Sequence, residues 1–219
     1  TAFTSYIQGV QLGADIDGEA RGDLSGNSVS LSSDGSIVAI GASSNGGTAS
    51  LSGHVRIYRW NGSGWTQLGA DIDGEAESDY FGDSVSLSSD GSRVAIGATH
   101  NDGNGSNSGH VRIYDYTPSG VTSWTQVSGD IDGEASNDQS GYSVSLSSDG
   151  SRVAIGAYDA SANSTSEKSR GRVHIYDYSG GSWTQVSGDI DGEAAVDNSG
   201  SSVSLSSDGS IVAIGAKKN

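Results

Sequence analysis

The hexapeptide DIDGEA begins at Asp15, Asp71, Asp130 and Asp189, so the chain returns to the same letters after 56, 59 and 59 residues. Such a period restricts the fold more than any single residue does, because each copy is a small unit that buries its apolar face only against its neighbours. After each DIDGEA come a variable spacer, SVSLSSDGS (from Ser28, Ser84, Ser143 and Ser202) and VAIGA (from Val38, Val94, Val153 and Val212). Three units continue through a long polar loop into GHVRIY (from Gly53 and Gly109) or GRVHIY (from Gly171), then a Gly/Ser turn and W-T-Q (from Trp65, Trp124 and Trp183). The fourth unit stops at Asn219, just after VAIGA. The units run near 15–70, 71–129, 130–188 and 189–219, the last with 1–14, inside one repeat domain of 1–219.

Each block reads as a strand. Val29 and Leu31 alternate with Ser28 and Ser30, the period of two of a pleated strand. Val38 and Ile40 alternate with the small Ala39 and Gly41, a pattern for a sheet covered on both faces. SSDGS supplies a tight hairpin through Asp34 and Gly35. HVRIY alternates Val55 and Ile57 against His54 and Arg56, and W-T-Q-L makes a fourth strand. Four short antiparallel strands per repeat predict an all-β fold, a β-propeller of four blades in one ring. A β-solenoid is the alternative, although its repeats are usually shorter. The N-terminal segment would supply the W-T-Q-type strand of the last blade. The HVRIY-type strand of that blade has no clear counterpart, so Ala2 to Ile7 plays it, the blade has three strands, or a neighbouring molecule adds one.

Composition narrows the function. A net charge of -16, with only 11 Lys plus Arg, lacks the basic footprint that nucleic acid or an anionic membrane surface requires. No apolar run is long enough to span a bilayer, so direct membrane insertion is not expected. Without Cys there is no disulfide, thiolate nucleophile or Cys-based zinc site. Without Met the chain is expected to be processed or trimmed, any export signal having been removed.

The stretch FGDSVSLSSDGSRVAIGA, Phe81 to Ala98, resembles the FG-GAP repeat of integrin α subunits and of many bacterial and algal surface proteins. The V-A-I-G-A half recurs in all four units, whereas F-G is literal only at Phe81-Gly82. The resemblance implies an extracellular propeller with ligand-binding loops, frequently supported by calcium. In that family calcium usually sits in an acid-rich hairpin between the two halves of the motif. Here that hairpin is SSDGS with one carboxylate (Asp34, Asp90, Asp149 or Asp208), so those ligands do not carry over.

Carboxylates concentrate instead in a D-x-D-G-E-x-x-x-D pattern: Asp15, Asp17, Glu19 and Asp23; Asp71, Asp73, Glu75 and Asp79; Asp130, Asp132, Glu134 and Asp138; Asp189, Asp191, Glu193 and Asp197. These are 16 of the 27 acidic residues, and the other 11 balance the 11 basic ones. Two readings stay open. Alternating acids around a Gly could wrap a calcium ion, which takes six to eight oxygens. Alternatively the acids cap turns by accepting backbone N–H bonds.

Arg21-Gly22-Asp23 spells an adhesion tripeptide, but only its Asp recurs between units, so Arg-Gly reads as variable spacer. His54 and His110 exchange places with an Arg in the third unit (Arg172, His174), which reads as interchangeable polar residues on one strand face. Trp65, Trp124 and Trp183 fit blade packing, or a sugar-stacking platform in a lectin. No catalytic constellation stands out, so no enzyme is expected. In a four-stranded meander the long loops Ala42–Gly53, Ala98–Gly109 and Ala157–Gly171 share a face with the acidic motifs, and loops on a rigid scaffold are where recognition resides. Asn61, Asn104 and Asn163 open glycosylation sequons. The sequence thus points to a non-enzymatic extracellular or cell-surface binding and adhesion propeller with a protein or glycan ligand on its loop face, calcium being the expected ion. A filament or sheath subunit that self-assembles through the incomplete blade, and a carbohydrate-binding lectin, are the alternatives.

Overall fold

Alternating apolar and small residues, punctuated by hairpin signals, build strands throughout. The computed structural model describes residues 11–118, 124–160, 169–186 and 188–219, and among these the regular elements are all strands. The Ala2–Ile7 expectation, Asn163 and the middle of the third long loop lie outside the described residues.

In the first sheet, Ser25–Leu31 (β1), Ile37–Ala42 (β2) and His54–Trp60 (β3) pair in order. Trp65–Gln67 (β4) and Ile72–Asp73 (β5) both pair with β3, so the outer strand is broken in two. Phe81–Leu87 (β6), Arg93–Ala98 (β7), His110–Tyr116 (β8), Trp124–Gln126 (β9) and Ile131–Asp132 (β10) repeat this. So do Ser140–Leu146 (β11), Arg152–Ala157 (β12), Arg172–Ser179 (β13), Ser182–Gln185 (β14) and Ile190–Asp191 (β15). The fourth sheet contains Ser199–Leu205 (β16) and Val212–Ala216 (β17) among the described residues. The sheets are offset from the sequence repeat, because the first letters of the second, third and fourth DIDGEA finish the preceding sheet: Ile72 pairs with Val55 and is buried.

The SSDGS hairpins close in one way. Asp34 Oδ1 accepts from Ser36 N at 2.9 Å and Ser32 Oγ at 2.7 Å, and Gly35 takes a left-handed φ of 72°. These donors hold the Asp34 carboxyl down at about 2. Asp149 and Asp208 sit at about 2 as well, through Ser147 and Ser206 first and then the donors at Ser151 and Ser210.

Each sheet has a large-residue face and a small-residue face, and the large face packs on the small face of the sheet before it. Val85, Leu87, Val94 and Ile96 thus cluster with Ile37, Ala39, Val55 and Ile57, and Leu146, Val153 and Ile155 with Ala95, Val111 and Ile113. The approach is closest where glycine meets glycine. A methyl on Gly41, Gly97 or Gly156 would overlap the carbonyl oxygen of Gly82, Gly141 or Gly200 in the next sheet. Those three acceptors, with Gly26, have φ between 82° and 93° at a β-bulge, so the glycine of the F-G pair is kept in all four units. The result is an all-β stack of four antiparallel, blade-like sheets in chain order.

Candidate functional site

Strands β3, β8 and β13 each place two side chains of alternating position on the large-residue face, directed at the preceding unit. In the first two sheets these are His54 with Arg56 and His110 with Arg112; in the third they are Arg172 with His174. All three His are buried, at 1 to 3 % exposure. Carboxylates arrive from two directions: a Glu from the motif before the sheet, and Asp residues from the motif that finishes it.

The second cluster shows the arrangement. Arg112 grips Asp130 with Nε and Nη2, both at 3.0 Å, and Nη2 also contacts Glu75. Burial opposes the charge on Arg112, but the bonds to Asp130 and Glu75 outweigh it and push its pKa up. His110 Nδ1 lies 3.6 Å from Asp130 Oδ2. Burial, reinforced by the Arg112 charge, lowers the His110 pKa to about 4, so the ring is neutral at neutral pH. In the third cluster Arg172 Nε donates to Asp191 at 2.8 Å and Nη1 contacts Glu134 and Asp189, the latter at 3.3 Å. His174 Nε2 is 3.3 Å from Asp189 and 3.6 Å from Glu134. The first cluster is looser: Arg56 Nη2 donates to the backbone carbonyl of Asp17 at 2.7 Å, with Glu19 3.9 Å away. The His/Arg exchange in the third unit therefore keeps one imidazole and one guanidinium in every cluster.

The four acids of a D-x-D-G-E-x-x-x-D motif consequently part company. The first Asp accepts from the Gln four residues before it: Asp15 from Gln11 at 2.8 Å, Asp71 from Gln67 at 2.5 Å, Asp130 from Gln126 at 2.6 Å and Asp189 from Gln185 at 3.0 Å. Asp71, Asp130 and Asp189 also face the cluster of the sheet they finish. Of the second Asp positions, Asp191 joins Arg172, while burial raises the pKa of Asp73 and Asp132 ahead of repulsion from Asp71 and Asp130. Glu19, Glu75 and Glu134 enter the cluster of the following sheet, and Glu193 is exposed. Asp23, Asp79, Asp138 and Asp197 are buried and staple their own turns, accepting from Ala20, Ala76, Ala135 and Ala194 N at 2.8 to 3.2 Å. Asp23 and Asp79 also accept from Asn45 and Asn101 Nδ2 at 3.0 Å. A buried, doubly bonded Asp23 also removes the acid of the Arg-Gly-Asp tripeptide from the surface.

Groups able to hold a metal ion are present: Glu19, His54 and Asp71; Glu75, His110 and Asp130; Glu134, His174 and Asp189 each bring ligand atoms within 4.8 Å of one another. Each mixes acids of two consecutive motifs with one imidazole. For calcium, which prefers six to eight oxygens, the fit is poor. Each group offers two carboxylates and a nitrogen, and in the second and third a guanidinium already pairs with both carboxylates.

Around the clusters, the variable loops knit onto the acidic ones. Asn45 reaches Glu19 as well as Asp23, Thr48 Oγ1 donates to Gly74 O, and Ser78 N donates to Ser50 O. Asn101 repeats this with Glu75 and Asp79, Asn104 donates to Gly133 O and Glu134 O, and Asn137 N donates to Ser106 O. The first two long loops and the acidic motifs they touch therefore form one surface at one end of the sheets. The tryptophans pack outside it: Trp124 is half-buried against the core and donates to Leu68 O at 2.8 Å, as Trp65 does to Leu12 O at 3.0 Å.

One stretch of these blocks matches a known repeat. Residues 70–114, from the end of the first sheet through β8, match the FG-GAP repeat. This segment is an FG-GAP repeat. The other FG-GAP-like units share its SVSLSSDGS and VAIGA blocks and its bulge glycine. No curated protein matches the chain. Among solved structures it is similar to a protein provisionally assigned as a 6-phosphogluconolactonase from Bacteroides uniformis, at 13 % identity and a TM-score of 0.52, over 85 % of this chain and 42 % of that one. It is also similar to Kuenenia stuttgartiensis hydrazine synthase, at 14 % identity and a TM-score of 0.47, over 95 % of this chain and 44 % of that one. The chain thus spans less than half the length of either, and at such identity the first likeness shows the fold alone. No helix among the described residues is long and apolar enough to cross a membrane.

Proposed function

We propose that this FG-GAP chain is a non-enzymatic, extracellular or cell-surface binding module of propeller type, whose ligand is a protein with a cationic surface. The observation that carries the reading is the union of the variable loops with the acidic motifs: a recurring Asn (Asn45, Asn101) anchors each of the first two loops on a motif carboxylate, and the differing residues Thr48 and Asn104 bond to the motif backbone at Gly74 and Gly133. Variation on a rigid, repeated base is how a scaffold changes partner without changing fold. The non-enzymatic part is supported by the clusters themselves, whose imidazoles are buried, at 1 to 3 % exposure. Calcium is not required in this reading, since in the second and third clusters a guanidinium already pairs with the carboxylates an ion would need.

Replacing residues 45–51 and 101–107 with Gly/Ser segments of equal length tests the proposal. Binding to immobilised basic proteins is expected for the parent chain, to weaken with salt, and to disappear in the replacement. Binding that survives the replacement, or capture of glycans that is lost on Trp124→Ala instead, would overturn it.

A further inference from the structure

The three joints between sheets are copies of one design, and among the described residues both halves of that design are left open at the ends of the stack. Across each joint a serine on the small-residue face donates to a bulge-glycine carbonyl: Ser28 to Gly82 at 2.6 Å, Ser84 to Gly141 at 2.6 Å and Ser143 to Gly200 at 2.8 Å. A second serine accepts from a leucine N–H: Ser30 from Leu87, Ser86 from Leu146 and Ser145 from Leu205, at 2.9 to 3.0 Å. The hairpins join by backbone bonds of 2.8 Å, from Ser33 N to Ser89 O, Ser89 N to Ser148 O and Ser148 N to Ser207 O.

At the fourth sheet the donor half is exposed. Ser202, Ser204 and Ala213 face solvent, whereas Ala39, Ala95 and Ala154 at the place of Ala213 are completely buried. Ile211 is 69 % exposed, whereas Ile37 at the same place is 5 % exposed because it packs on Gly91 of the next sheet. At the first sheet the acceptor half is exposed. Val29 and Leu31 are 64 % and 60 % exposed, against 9 % and 7 % for Val85 and Leu87. A Cβ on Gly26 or Gly35 would meet nothing within 4 Å, although Gly82 and Gly91, at the same places in the second sheet, are in close contact with the first. Residues 11–16 stand against this face as residues 68–72 stand against the second sheet, leaving a 490 Å³ gap whose walls include Ile16, Val29, Leu31 and Trp65.

We propose that the small-residue face of β16 and β17 docks in this gap on a second copy of the chain, head to tail, remaking the internal joint between molecules. Ser202 then donates to Gly26 O, Ser204 accepts from Leu31 N, Ser207 N donates to Ser33 O, and Ile211 covers Gly35. The occupant follows from the joint: the partner face must carry serines and glycines in that register, and three such faces are already matched to such an acceptor inside the molecule. Because the two surfaces differ, association is heterologous and closes into a ring or extends as a stack. The joint uses sheet faces, not the loop end, and stands independently of the binding reading.

Sedimentation over a concentration series, with two exposed-site variants, tests the joint. The parent chain is expected to pass from monomer to multiples of its mass. Leu31→Asp blocks the acceptor face and Ala213→Glu the donor face, so each alone stays monomeric. Mixed in equal amounts they form a 1:1 dimer and nothing larger, because one intact joint remains between them. Val29→Lys and Ile211→Glu serve as a second pair, and unchanged melting temperatures show that the monomers are folded. A parent chain monomeric at every concentration, a folded single variant that still associates, or a mixture that forms no dimer would overturn the proposal.

Discussion

The α-carbon of Gly97 faces the carbonyl oxygen of Gly141 so closely that no side chain fits between two neighbouring sheets. The obstacle is backbone at a bulge, pinned by the bond from Ser84 Oγ, and cannot swing aside as a side chain would. Gly97→Ala is therefore expected to cost about 3 kcal/mol, at the upper end of overpacking penalties, as a lowered denaturant midpoint. Gly215→Ala meets only Ser202 of its own sheet and is expected to change the monomer by less than about 1 kcal/mol. Equal effects at the two positions would contradict the packing described for the joints.

The exchanged pair Arg172 and His174 gives a second test. Arg172→His alone leaves Glu134, Asp189 and Asp191 without a guanidinium, and a loss of about 2 kcal/mol is expected, moderated because the acids are partly exposed. Adding His174→Arg rebuilds the order found in the second sheet, His110 followed by Arg112. Guanidinium-induced unfolding of the two single variants and the double at neutral pH should show a favourable coupling of about 1–2 kcal/mol. Strict additivity would mean that the two positions do not share one cluster.

How these residues cooperate was only partly legible in the chain. The alternation of Val29 and Leu31 with serines, and the SSDGS turns, are local signals, and they appear as β1, β2 and their repeats. The W-T-Q strand was legible too, but its continuation was not. The Asp-Ile-Asp of the acidic motif is too short and too charged to show a strand period, and it pairs only because Ile72 is buried beside Val55. The charge clusters are tertiary: Glu19, His54 and Asp71 meet from three separate stretches. Their one sequence trace was the His/Arg exchange in the third unit. It marks two positions that answer to the same carboxylates, not positions at which any polar residue will do.

His110 predicts a pH dependence. Its pKa falls from 6.5 in the unfolded chain to about 4 in the fold, through burial first and then the Arg112 charge, against attraction from Asp130 and Glu75. Between those values the unfolded chain takes up a proton that the native ring does not, so this residue's contribution to stability is whole above pH 6.5 and is lost as pH falls toward 4. The full loss is at most about 3 kcal/mol. The carboxyls of Asp73, Asp79, Asp132 and Asp138 run the other way. Burial raises their pKa values, so acidification toward 3.8 relieves a cost in the native state. Comparing His110→Gln with the parent between pH 7 and 4 isolates the imidazole. The difference in unfolding free energy should move toward the variant as pH falls, and a constant difference would show that the ring does not titrate across that window.

The arginines predict the response to metal. In the second and third clusters a guanidinium sits among the carboxylates that an ion would need, and a second cation there would meet its charge at close range. Melting temperatures in millimolar calcium and in chelator, at matched ionic strength, are therefore expected to agree within about 1 °C. An ion bound to the native state at a hundred times its dissociation constant would instead add about 2.7 kcal/mol, worth roughly 5–10 °C in a chain of this size. Arg112→Gln separates the causes. If the guanidinium is what excludes the ion, the variant starts less stable and regains part of the loss when calcium is added, while the parent does not respond. A calcium shift in the parent that survives in the variant would place the ion elsewhere in the acidic loops, and the arginines would then be partners of the carboxylates without being substitutes for a metal.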